Sequence, residues 1–162
     1  MKGAELGTYL NDHLAGSVGA LDLIDYLARG SDTTDEVSFF RRLHTEITAE
    51  QTQLRELLQD VGGDESGVRK AAGWVAEKVN RLKLKWDDPG DDGPRRFEAL
   101  EALALGITGK LSLWKTLAAV ADEMPALRHL DFAELQRRSE DQYAAVESRR
   151  LAAAREAFTP SG

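Results

Sequence analysis

The residues that could do chemistry in this 162-residue chain are few: three histidines, no cysteine, and carboxylates spread along every long apolar stretch. Without cysteine there is no disulfide, no thiolate metal site and no thiol nucleophile. The demanding test for carboxylate chemistry on helices is the di-iron pattern, an inward Glu from each of two helices and a Glu-x-x-His pair from each of two more. Carboxylates bridge and neutralise the irons, and an imidazole one turn away completes each coordination shell. No glutamate here is followed three residues later by histidine: Glu46 leads to Ala49, Glu50 to Gln53, Glu98 to Glu101, Glu134 to Arg137 and Glu147 to Arg150. The serines fall in no Ser-His-Asp arrangement, and no glycine-rich loop follows a strand. Neither a nucleophile nor a phosphate cradle is legible. The sequence offers no catalytic residue, and the reading leans away from an enzyme.

One polar layer survives that test. Aligning the midpoints of the long helices puts His13, Glu50 or Gln51, Ser112, and Asp141 or Gln142 at one level, between apolar neighbours. Two readings stand. His13, Glu50 and Asp141 hold a single metal ion or a small ligand; or the layer is a hydrogen-bonded set, with His13 and Gln142 satisfying each other and fixing the helix register. The expectation is no cofactor, with one metal ion as the alternative. Other constellations point to structure. His44 and Glu46 lie about 200° apart around a helix and cannot grip one ion. His129 falls in a turn. Glu98 and Glu101 sit near a helix start, where negative charge meets the positive end of the helix dipole. Lys110 stands among apolar neighbours and either snorkels outward or pairs with a carboxylate. Trp74, Trp86 and Trp114 fall on apolar stripes.

The elements that must position these residues read as five helices in one domain spanning 1–162: about 3–29, 34–61, 66–86, 94–122 and 131–158. Thr33 with Glu36, and Asp131 with Glu134, have capping-box spacing. Gly30 ends the first helix and Gly62-Gly63 the second, while Pro94 restarts the chain after the loop from Asp87 to Gly93. Over Pro94–Ala121, Phe97, Leu100, Ala104, Ile107, Leu111, Trp114, Ala118 and Ala121 form one stripe, and Leu103, Ile107, Lys110, Trp114 and Leu117 a second beside it. Such a helix meets neighbours on more than one side. Four helices are about 27 residues long, roughly 40 Å each. Short links join the first to the second and the fourth to the fifth, and a crossing containing the third helix joins the two pairs. The expectation is two antiparallel hairpins with one long crossover. It sets Gly16 and Gly19 level with Gly106 and Gly109, as packing notches for close backbones or, alternatively, a notch for a ligand.

That arrangement, with YLNDHLAGS in the first helix and LEALALGITGKLSLWK in the fourth, resembles the ferritin-like superfamily, and most closely a bacterial group lacking the di-iron ligand motif. The resemblance spans nearly the whole chain. It implies a ferritin-like four-helix bundle with an additional helix in the crossover, and a homodimer formed side by side. No metal ligand carries over, because the Glu-x-x-His pairs are missing.

Charge and hydropathy bound the rest. Asp and Glu number 28 against 21 Lys and Arg, a net charge of −7. An acidic chain without a basic arm is a poor partner for nucleic acid, whose binding depends on neutralising phosphates. The local exception, Lys78, Arg81 and Lys85 with Lys70, Arg95 and Arg96 nearby, reads as a solvated face. No apolar run reaches the length of a membrane span or a signal peptide, so a cytoplasmic protein without membrane contact is expected. The function expected is non-catalytic, through self-association or a protein partner, with a divergent metal or redox protein built on the His13 layer as the alternative.

Overall fold

The computed structural model describes residues 2–86 and 92–160, with side chains apart from those of 2, 71, 74, 78, 82–86 and 92. It is all helix, with no strand among the described residues: α1 (Lys2–Arg29), α2 (Thr34–Asp60), α3 (Ser66–Trp86), α4 (Asp92–Val120) and α5 (Phe132–Phe158). Two 3-10 turns, Ala121–Glu123 and Pro125–Leu127, link α4 to α5. The expected loop at Asp87–Asp91 lies outside the described residues, as do the side chains of Trp74, Lys78, Lys85 and Trp86. α4 begins two residues before Pro94, which sits inside the first turn, where a helix requires no N–H donor.

The caps explain the boundaries. Thr33 Oγ1 accepts from the Glu36 N–H at 3.2 Å and Asp131 Oδ1 from the Glu134 N–H at 3.0 Å. The two carboxylates are turned to arginines instead of closing the box: Glu36 binds Arg96 and Arg149, and Glu134 binds Arg137. α2 ends in a Schellman motif, with Gly62 N–H on Gln59 O, Gly63 N–H on Leu58 O and Gly62 at φ 76°. Gly30 follows α1 but is not left-handed, so the first helix stops without that cap.

Cross-helix contacts fix the directions. Asp25–His44 (3.6 Å) and Ser17–Gln51 (2.7 Å) make α1 and α2 antiparallel. Phe97 on Phe158 (5.1 Å between ring centroids) and Glu101–Arg150 (3.1 Å) do the same for α4 and α5. α1 also runs antiparallel to α4, since Leu23, Ile24 and Leu27 share a cluster with Ala99, Leu100 and Leu103, while Leu10 and Leu14 share the other with Leu113, Trp114 and Leu117. α3 lies along α1 in parallel, its Gly67 beside Asn11 and its Val75 beside Gly19. The two apolar clusters occupy opposite ends of the helices. Between them lies a polar waist, and that is where the candidate site is.

Candidate functional site

Four groups in the waist are buried and polar among the described residues: Glu50, Gln51, Ser139 and Gln142. Glu50 carries the one buried carboxylate among the described residues, its side chain 2% exposed. On α4 the helix turns Ile107 and Lys110 inward, and the Lys110 ammonium donates to Glu50 Oε2 and to Gln142 Oε1. Gln142 Nε2 donates in turn to Glu46 Oε2 at 2.9 Å and Glu50 Oε1 at 3.3 Å. Both oxygens of Glu50 and both ends of the Gln142 amide are satisfied, so the triad from α2, α4 and α5 closes on itself. Burial holds the Lys110 pKa below its usual value, opposed by the charge and hydrogen bond of Glu50. A shorter chain runs beside it: Arg55 donates to Gln51, Gln51 to Ser17, and Ser17 to Leu14 O.

Against this triad lies a cavity of about 220 Å³ between α1, α2 and α4. Ile47, Leu54, Ile107 and Leu113 give it apolar walls, and Glu50, Gln51, Lys110 and Ser17 a polar floor. His13 joins the wall, edge-on to Tyr9 with ring centroids 4.7 Å apart. Burial lowers the His13 pKa, only partly offset by Asp12, so the imidazole is neutral at pH 7. Gly16, Gly106 and Gly109 also line it, as the antiparallel register of α1 and α4 predicts. They are not packing notches: a Cβ on any of the three would meet nothing within 4 Å. Gly16 and Gly106 are exposed and form the mouth. Gly19 alone of the four is tight, because a Cβ there would lie 2.5 Å from Val75 Cγ1, on α3 rather than α4. A second, open groove of about 640 Å³ lies between α2 and α5, lined by Phe39, Arg42, Glu46, Arg138, Asp141 and Gln142, so the triad separates the two hollows.

Of the expected layer, His13 and Glu50 share the cavity. Asp141 does not join them: it is exposed, paired with Arg137 at 2.7 Å, and the inward residue is Gln142. Nor do His13 and Gln142 satisfy each other, since the Gln142 amide is engaged by Lys110, Glu46 and Glu50. Ser112 faces out and donates to Thr108 O. His44 pairs with Asp25 and Glu101 with Arg150. Trp114 is core. Arg96 leaves the basic face to bind Glu36 at 2.9 Å. The sequence reading missed Ser139, which is fully buried and donates to Leu135 O, a bond available to any serine inside a helix.

A di-iron group does not fit these donors. A lysine ammonium sits where the carboxylate of Glu50 and the amide of Gln142 converge. Among the described residues no three His, Asp or Glu gather to hold an ion. No helix there is long and apolar enough to cross a membrane. No protein-family model, curated protein or solved structure matches the chain.

Proposed function

We propose that this is a non-catalytic, cytoplasmic, ferritin-like helical protein that acts by what it binds. The supporting observation is the ion pair at its centre: the one buried carboxylate among the described residues is neutralised by the chain's own Lys110, in the waist where a di-iron protein places cations. The helix contacts support the reading of a ferritin-like four-helix bundle. α1, α2, α5 and α4 meet in a ring with neighbours antiparallel, Glu36–Arg149 and Glu50–Gln142 supplying the α2–α5 side, and α3 lies outside against α1. In the alternative, a divergent metal or redox protein, His13 and Glu50 take an ion from the cavity. Metal content distinguishes them. Protein purified without chelator and incubated anaerobically with Fe(II) is expected to carry only traces of Fe, Mn and Zn. Stoichiometric metal that disappears in His13→Ala would reverse the reading.

Self-association as a homodimer has its own support. Four of the five exposed large apolar side chains among the described residues, Leu105, Tyr143, Leu151 and Phe158, belong to the α4–α5 hairpin away from the Pro125 turn. Sedimentation velocity across a dilution series is expected to show a dimer that Leu105→Glu dissociates. A compact monomer at every concentration would count against it.

A further inference from the structure

We propose that the cavity between α1, α2 and α4 takes one small, uncharged, ring-containing compound, entering past Gly16 and Gly106 and turning a single hydrogen-bonding group toward Lys110 and Glu50. The inference rests on the binding reading above and adds the class of ligand.

Space is the first support. Alanine is the better helix former at any interior position. At Gly16, Gly106 and Gly109 it would cost no clash, because a Cβ meets nothing within 4 Å. All three are inside helices, and all three line one hollow. Packing does not explain them, whereas an open mouth and a clear wall do. Size comes next. A cavity of about 150 Å³ admits benzene. At about 220 Å³, this one takes a substituted ring or a small fused pair.

Charge selects among such compounds. Glu50 and Lys110 cancel, and burial keeps His13 neutral. The remaining ionisable group on the lining, Asp12, is exposed at the rim. Glu46 and Arg138 reach Lys110 from the opposite, α2–α5 side. A charged guest would therefore be desolvated without a free counter-ion, which is costly. A hydroxyl, carbonyl or ring N–H is accommodated. An ammonium has three donors, and two of those on Lys110 are engaged by Glu50 and Gln142.

The test uses indole and phenol as uncharged probes, benzoate as the anion and benzylamine as the cation, followed by calorimetry and thermal unfolding. Indole or phenol is expected to bind saturably and raise Tm, the charged rings at least tenfold more weakly. Gly106→Leu, which fills the mouth, is expected to fold with unchanged or higher Tm and to lose at least tenfold in affinity. Gly109→Leu serves in its place if that variant misfolds. No saturable binding by either neutral ring, equal binding of benzoate or benzylamine, or undiminished binding by the filled variant would overturn the proposal. Metal assayed in the same preparation keeps the two failures apart. Stoichiometric iron would sink the metal-free reading, and metal-free protein deaf to both neutral rings would sink this one.

Discussion

Gly16 and Gly19 lie three residues apart on α1 and meet opposite surroundings. Gly19 is the floor of a tight seam, where α3 lies so close that a Cβ would collide with Val75 Cγ1 at 2.5 Å. Gly16 opens onto the cavity, and its α4 counterparts Gly106 and Gly109 do the same. In one place the missing side chain lets two helices touch; in the other it keeps two helices from being bridged. The same residue type thus marks a filled and an unfilled contact of α1, and only the neighbour decides which.

The sharpest way to probe the open side is to break its floor. Lys110→Met leaves Glu50 buried and unpaired and should cost about 3–5 kcal/mol, measured by urea unfolding. Glu50→Leu in the same protein should recover most of that loss, because a buried pair replaced by apolar groups is often neutral or stabilising. A single mutant as stable as wild type would show that the pair is solvated and the floor open to water. Next comes alanine at both kinds of glycine. Gly19→Ala should lose about 1–3 kcal/mol by overpacking, whereas Gly16→Ala, Gly106→Ala and Gly109→Ala should each gain up to about 1 kcal/mol. Equal signs at Gly16 and Gly19 would erase the distinction between seam and cleft.

The smallest effect is a pH slope. His13 is held neutral in the folded protein below its ordinary pKa of 6.5, so the unfolded chain binds the extra proton first. Stability should therefore fall as pH drops below 6.5 toward the lower folded value, and His13→Gln should remove that part of the slope. A slope unchanged in the variant would place its origin elsewhere, with the carboxylates.

Much of the fold was legible because punctuation is local. Thr33, Asp131, Gly62 and the proline positions act within one turn of themselves, and the helix limits came within two residues. The waist was legible in level but not in rotation. Register along the axis follows from helix lengths and short links, so His13, Glu50 and Gln142 were placed near one height, whereas α4 was given Ser112, which faces out, and its inward member is Lys110. Which of Asp141 and Gln142 faces inward depends on a turn of about 100° about α5, and that is set by Val146 and Leu135 docking against distant helices. Asp141 instead meets Arg137 one turn away at the surface. The cavity was legible only as an alternative, since four glycines in a sequence do not say what lies opposite them.

Glu36 links residues far apart in the chain. Its carboxylate takes Arg96 from α4 and Arg149 from α5, both at 2.9 Å, while Arg149 stacks on Phe39 at 3.5 Å. Each helical hairpin can close through contacts near in sequence, but this clamp requires both to be present and docked. A clamp that forms only after both hairpins have docked predicts that Glu36→Gln leaves the refolding rate nearly unchanged and speeds unfolding. A chevron whose refolding arm slows instead would put the clamp in the nucleus. If it does close late, a side chain at the start of α2 governs how long the whole molecule stays shut.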